Sequence, residues 1–324
     1  MNQLKAKVAN FTYFLPQKIV SNNDLSKIVD TSDEWISTRT GIKNRYISNE
    51  IETASYMATQ VAENILIKSN TSAADIDGII VSTSTPDYVF PSTACLVQKN
   101  IQAKSAFAYD LSAACSGFLY AMHNAIAYIK SGMAKKIIII GSEVSSAITN
   151  QTDRNTCVLF GDGASGALVE IQESADDNCE HIIDTKLYTD GGLAEILHTK
   201  CGANAKGNVA EISMQGQAVF KNAVSKMSDM IVEAMDRNNL TIDDIDWIVP
   251  HQANKRIFDA IAKNFNIDKD KIVNYIEDHG NTSSASIGIA VAKHQEKGLI
   301  KKGNKVLLES IGGGMTWGFS LVQF

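Results

Sequence analysis

The sequence predicts an α/β fold made of two similar halves, on three observations. Helical and strand-like patterns alternate along the chain. The segments TSAADIDGIIVSTSTPD and LTIDDIDWIVPHQAN match one another, with Asp75 and Asp244 standing 169 positions apart. A second pair, KKIIIIGS and NKVLLES, keeps that spacing, since Lys136 and Lys305 are also 169 apart.

The elements follow in order. The helix-periodic ETASYMATQVAENIL precedes a buried strand at Ile79-Ile80-Val81, and Phe107 to Leu111 reads as another strand. From Cys115, the residues Phe118, Leu119, Met122, Ala125, Ile126 and Ile129 keep helical spacing up to a stop at Gly132. The run Gly161 to Gly166 fits G-x-G-x-x-G, but Ala167 to Ile171 reads as a strand rather than a helix. A dinucleotide fingerprint must open a helix, so the glycines are expected to form a tight β-turn. The strand GALV ending at Val169 resembles FSLV ending at Val322. The acidic stretch Glu173 to Glu180 reads as the connection, dividing the chain into halves 1–173 and 174–324 packed as one body. The second half repeats the pattern, with a helix in GQAVFKNAVSKMSDMIVEAM and strands at Ile245 to Val249, Ile272 to Ile276 and Lys305 to Ile311.

Composition limits the functions available. The 324 residues are 44% hydrophobic and 20% charged, enough for a large core, and four prolines with no low-complexity tract argue against disorder. The longest apolar runs fall short of a membrane span, and the N-terminal segment lacks the apolar core of a secretory signal. A net charge of −6 disfavours nucleic acid as a partner. Five cysteines, at 95, 115, 157, 179 and 201, form no C-x-x-C pair, so neither a disulfide framework nor a zinc site is expected. A reducing cytoplasm is the expected location, and one lone thiol the expected chemistry.

Cys115 is the candidate. It stands at the first turn of its helix, where free N–H groups and the helix dipole are expected to favour a thiolate. Ala113, Ala114, Ser116 and Gly117 leave room for approach to the sulfur. His251, Asn281 and Gly312-Gly313-Gly314 each follow an expected strand, where ligands of open α/β sheets collect. His279 competes with His251 for the role of catalytic imidazole. His123 is expected to be semi-buried, and His181, His198 and His294 solvated. Cys, His and Asn together fit either a papain-like hydrolase or acyl transfer through a thioester. The residues around Cys115 do not fit the former. In the latter, neutral His and Asn both donate hydrogen bonds to a thioester oxygen gaining negative charge, which an Asp would repel.

Nearly the whole chain resembles the β-ketoacyl-[acyl-carrier-protein] synthase III family of thiolase-fold condensing enzymes. The motifs are DEWISTRTGIKNRYI, DLSAACSGF, TDRNTCVLFGDGA, WIVPHQANKRI, HGNTSSASI and GGGMTWGFSLVQF. The resemblance implies a five-layer αβαβα fold of duplicated halves and an enzyme that initiates fatty acid synthesis. A starter acyl group, usually from acetyl-CoA, would load Cys115, with its carbonyl held by the N–H groups of Cys115 and Gly313. His251 and Asn281 would then stabilise the enolate formed as malonyl-acyl carrier protein loses CO₂. The glycine motif lacks the second cysteine of thiolases proper, which favours decarboxylative condensation. Trp35, Arg39, Arg154 and Asn254 match the family's coenzyme A contacts, and Lys221, Arg256 and Lys263 its docking positions for an acidic carrier protein. Phe90 matches a residue that reaches across a homodimer interface into the partner's acyl pocket. The resemblance implies no permanently bound cofactor and no metal. A related acyltransferase or condensing enzyme of a secondary pathway with another starter or acceptor, and a non-catalytic scaffold of this fold, are the alternatives.

Overall fold

The strand KIIIIGSE carries apolar side chains on both faces: Ile137 and Ile139 point one way, Ile138 and Ile140 the other, and all four are fully buried. Such a strand needs cover on each side of its sheet. The computed structural model describes residues 5–172, 179–200 and 210–324 and supplies that cover. The first half runs β1 (Lys5–Phe14), β2 (Lys18–Ser21), α1 (Asn22–Leu25), α2 (Asp33–Thr40), β3 (Asn44–Ile47), α3 (Ala54–Ser69), β4 (Gly78–Ser82), α4 (Thr93–Asn100), β5 (Phe107–Leu111), α5 (Gly117–Lys130), β6 (Lys136–Glu143) and β7 (Gly163–Gln172). The second runs β8 (His181–Thr189), β9 (Leu197–Thr199), β10 (Ile212–Met214), α6 (Gly216–Asn238), β11 (Trp247–Pro250), α7 (Lys255–Phe265), α8 (Ile276–His279), α9 (Ser286–Glu296), β12 (Lys305–Gly312) and β13 (Thr316–Gln323).

The two mixed sheets have matching strand orders, β1-β7-β6-β4-β5 and β8-β13-β12-β11. Five layers result. Met57, Val61 and Ile65 of α3 cover the outer face of the first sheet against Ile138 and Ile140. Phe118 and Met122 of α5 and Ile287 and Val291 of α9 fill the middle, between Ile139 of one sheet and Leu308 of the other. Met227 and Ile231 of α6, with Ile257 and Ile261 of α7, close the outer face of the second sheet.

The 169-residue spacing persists in three dimensions. Gly78 pairs with Ile137 across β4 and β6, and Trp247 with Val306 across β11 and β12, each partner 169 positions on. Ile137 faces Val169 and Val306 faces Val322, so the likeness of GALV to FSLV also reflects equivalent strands. The expected boundary between residues 173 and 174 falls outside the described residues.

Two local expectations are corrected. Ile272 to Ile276 is not a strand: Ile272 makes one parallel bridge to Ile248, and Ile276 already opens α8. Beyond Val273, whose amide donates to the Ile248 carbonyl at 2.8 Å, two amides bond to side chains instead, Tyr275 N donating to Gln252 Oε1 at 2.8 Å and Ile276 N to Asn274 Oδ1 at 3.2 Å. The glycines from Gly163 to Gly166 lie within β7 rather than in a turn. They serve close approach, since a Cβ on Gly166 would stand 2.7 Å from the Ile139 carbonyl oxygen and from Val61 Cγ1.

Candidate active site

After β5, the chain turns sharply through a 3₁₀ turn, Ala114–Ser116, before α5 begins at Gly117. Ala114 has φ +46°, in the left-handed region that residues with a Cβ seldom adopt. The turn therefore has to be held from outside, and the second half holds it. Ser310 Oγ donates to the Cys115 carbonyl at 2.9 Å. The Thr316 hydroxyl donates to the Ala113 carbonyl at 2.9 Å and accepts from Ser116 Oγ at 2.8 Å. Gly312 packs so closely that a Cβ there would lie 2.6 Å from the Cys115 amide nitrogen.

The expected thiolate is corrected. Cys115 is buried ahead of the α-helix proper, and burial pushes its thiol up to about 11, with the nearby Glu143 carboxylate adding to the rise. The nearby Ser283 side chain opposes that rise without cancelling it. The resting side chain is a thiol.

His251 follows β11, and its amide donates to the Glu309 carbonyl at 2.8 Å. Its Nδ1 lies 2.6 Å from Ser286 Oγ, the first residue of α9, while that oxygen accepts from Gln252 N at 3.2 Å. With Gln252 N supplying one proton to the serine oxygen, the serine's own proton is free for Nδ1, which leaves the imidazole proton on Nε2. Burial lowers the imidazole to about 3, so the ring is neutral. Asn281 follows Gly280, where φ is +66°, and is clamped by Leu159 and Gly161: its N donates to the Leu159 carbonyl at 2.9 Å, and its carbonyl accepts from Gly161 N at 3.0 Å. Asn281 Oδ1 accepts from Ser283 N at 2.8 Å, which leaves Nδ2 as the outward donor. Two neutral donors thus accompany the thiol.

A cavity of about 270 Å³ is lined by Cys115, His251 and Asn281 together with Trp35, Arg39, Arg154, Asn254 and Arg256. The Arg39 and Arg154 guanidinium carbons lie 4.7 and 4.9 Å from the Trp35 ring centroid. Asn254 also caps α7, its Oδ1 accepting from Arg256 N at 2.9 Å. A second cavity of about 310 Å³ also opens on Cys115 and is lined by Gly313, Glu143, Ser283 and His198. Cys115, Phe160 and Leu197 line both. His279 lines neither; it is buried behind the site with Nδ1 2.9 Å from the Gly280 carbonyl oxygen.

Lys221 on α6 and Lys263 on α7 are exposed and lie outside both cavities, while Arg256 stacks over Phe220 at 5.3 Å. Phe90 is 85% exposed, beside the equally prominent Val89. The remaining histidines are not solvated as expected. His294 is 6% exposed and sits edge-on to Trp247 at 4.3 Å, because α9 belongs to the middle layer. His181 and His198 are half-buried, as is His123. Cys201 lies outside the described residues. Among the described residues, no three His, Cys, Asp or Glu side chains group as metal ligands would, and no helix is long and apolar enough to cross a membrane.

Sequence reasoning missed Glu143, Ser283, Ser286 and Glu309. The structure relates one of them to the duplication: Ser283 is 169 positions after Ala114, and it too has a left-handed backbone, with φ +50°.

Comparisons with known proteins agree along the whole chain. A family model described as 3-oxoacyl-[acyl-carrier-protein] synthase III matches residues 109–191, and the model of that synthase's C-terminal region matches 235–324. The β-ketoacyl-[acyl-carrier-protein] synthase III of Agrobacterium fabrum is 44% identical over 322 residues, covering 99% of this chain and 100% of that protein. The Chlorobaculum tepidum protein of the same name is 45% identical over 331 residues, with the same coverage. The crystal structure of 3-oxoacyl-[acyl-carrier-protein] synthase III from Aquifex aeolicus superposes with a TM-score of 0.92 at 44% identity, covering 98% of this chain and 100% of that one.

Proposed function

The chain belongs to the β-ketoacyl-[acyl-carrier-protein] synthase III family, and from that premise we propose how its residues divide the work of a condensing acyltransferase. Acyl-CoA and malonyl-acyl carrier protein are the substrates, and the product is a 3-oxoacyl-carrier protein that starts fatty acid synthesis. The N-terminal half, through residue 173, supplies the nucleophile, and the C-terminal half, from 174, supplies His251 and Asn281. The observation that carries this reading is the shared cavity, which runs from the Trp35–arginine group to Cys115, His251 and Asn281.

The adenine of coenzyme A stacks at Trp35 between Arg39 and Arg154, where aromatic and guanidinium planes suit a purine and a phosphate. Asn254 meets the pantetheine arm. Cys115 Sγ attacks the acyl carbonyl, whose oxygen the amides of Cys115 and Gly313 receive, and coenzyme A leaves. The malonyl thioester then enters the same cavity. As CO₂ departs, His251 Nε2–H and Asn281 Nδ2–H donate to the enolate oxygen. Both donors are neutral and fixed before the reaction, which favours the developing anion without reorganisation. The enolate carbon attacks the acyl group on Cys115 and releases the product. No resident cofactor is required, because the thioesters carry the activation.

Two mass-spectrometric steps test this. Incubation with acetyl-CoA alone should place an acetyl group on Cys115, and malonyl-carrier protein should then remove it with release of CO₂. A Cys115→Ala protein that still forms 3-oxoacyl product would falsify the assignment.

A further inference from the structure

Arg45, on β3, is an arginine with no exposed surface, and its hydrogen-bond partners among the described residues are all neutral oxygens. Burying a cation without a counter-charge costs solvation that its hydrogen bonds have to offset, so what this side chain holds matters. Nη1 donates to the Val20 carbonyl at 3.1 Å. Nη2 has two protons and two partners, Asn22 Oδ1 at 2.8 Å and the Val158 carbonyl at 3.0 Å. These two partners lead to different parts of the cavity that holds Cys115.

Asn22 leads to the tryptophan. It is buried, and accepting at Oδ1 orients its amide with Nδ2 as the donor. Nδ2 reaches Asp33 Oδ1 at 2.8 Å and the Ile42 carbonyl at 2.7 Å. Asp33 is the first residue of α2 and Ile42 follows its Gly41 cap, so one amide brackets the helix that carries Trp35 and Arg39. Val158 leads to the asparagine. It opens the stretch Val158-Leu159-Phe160 that lines the cavity, and the Leu159 carbonyl and Gly161 amide clamp Asn281. Arg45 also packs under that clamp: a Cβ on Gly161 or on Gly280 would stand 3.2 or 3.4 Å from its own Cβ.

We propose that Arg45 is a positioning residue that fixes α2 and the Asn281 clamp relative to one another, so that one buried fork sets both the coenzyme A site and the enolate donor. The inference rests on the roles proposed above for Trp35, Arg39 and Asn281. Arg45 lines neither cavity that opens on Cys115, so it acts only through the groups it holds. A lysine in its place keeps the charge but loses the planar fork that serves several oxygens at once. Asn22 lies on the α2 branch alone, which makes the two branches separable by substitution.

The test compares three activities: acetylation of Cys115 by acetyl-CoA, its acetylation by the acetyl thioester of N-acetylcysteamine, which lacks the nucleotide, and CO₂ release from malonyl-carrier protein by the preacetylated protein. Arg45→Lys should raise the KM for acetyl-CoA several-fold and slow CO₂ release by roughly 10- to 100-fold, as a misplaced group does. Acetylation by the small thioester should be unchanged, since neither branch touches the sulfur. Asn22→Ala should raise the KM for acetyl-CoA and leave CO₂ release and the small thioester at parent values. A uniform loss in all three activities of Arg45→Lys marks a merely structural role and overturns the proposal, as does a change in only one of its two expected activities. Should Arg45→Lys not fold, Asn22→Ala decides: a parent-like KM for acetyl-CoA, or an equal loss in all three activities, overturns it. Failure of the underlying reading looks different, because Trp35→Ala would then keep the parent's KM for acetyl-CoA, or Asn281→Ala its CO₂ release.

Discussion

Among the described residues, Glu309 is a carboxyl with no partner. It sits in the middle of β12, fully buried, and neither of its oxygens makes a hydrogen bond. Burial holds it well above the ordinary carboxylate range, so the folded chain keeps a proton that the unfolded chain releases above about pH 4.5. Its contribution to stability is therefore full in acid and declines as pH rises toward the folded value. The slope reaches about 1.4 kcal/mol per pH unit for one proton. Buried His251 and His279 act in the opposite sense, since burial depresses them to about 3 and about 4. Their stability is present above about pH 6.5 and is lost as pH falls. Glu309→Gln keeps the shape of the side chain and removes only the carboxyl's slope, leaving the histidines in place. The variant's urea midpoint relative to the parent should rise between pH 5 and pH 8, and an offset that stays constant over that interval rules this out. None of it was legible in the sequence. A glutamate in LLESIG reads as a polar residue at the end of a strand, and only the closure of α6 and α7 over β12 removes its water.

The elements divide according to whether their signal is local. Apolar periodicity located α3, α5, α6 and the buried strands β4, β6 and β12, because each shows its packing face in its own spacing. The segment after Ile272 misled, because its β-like composition is overridden by two side chains that capture its amides. The two 3₁₀ turns were illegible for a related reason. Their left-handed residues, Ala114 and Ser283, carry no glycine or asparagine to announce them, and contacts from distant strands hold them. On the outer layer, α6 and α7 bring Lys221 and Lys263 to one side of the molecule with Arg256 at the cavity wall. Lys263→Glu should weaken the reaction with malonyl-carrier protein several-fold, and increasingly so at low salt, while acetylation of Cys115 by acetyl-CoA stays unchanged. Steady-state kinetics of the two half-reactions separates these outcomes. Equal losses in both would remove the docking role.

For the whole molecule, the duplication was the most readable property, since a fixed spacing survives where individual strands are ambiguous. Its three-dimensional meaning, two sheets sharing a middle layer, comes from helices that must bury both sides. With a net charge of −6, docking of an acidic carrier protein would depend on a local group of cations. One surface is unlike the rest: Tyr88, Val89 and Phe90 are exposed by 57, 93 and 85% in succession. A homodimer would cover such a run. The parent should then sediment as a dimer at micromolar concentration and Phe90→Asp toward monomer; a monomeric parent, or a variant as dimeric as the parent, would deny Phe90 its part. The 3₁₀ turn at Cys115 belongs to one half of the chain, and the atoms that hold it, from Ser310, Gly312 and Thr316, belong to the other. Neither half can hold that turn alone. The seam between them works as a tamper seal, because a slip of one sheet past the other would break the contacts that set the Cys115 turn.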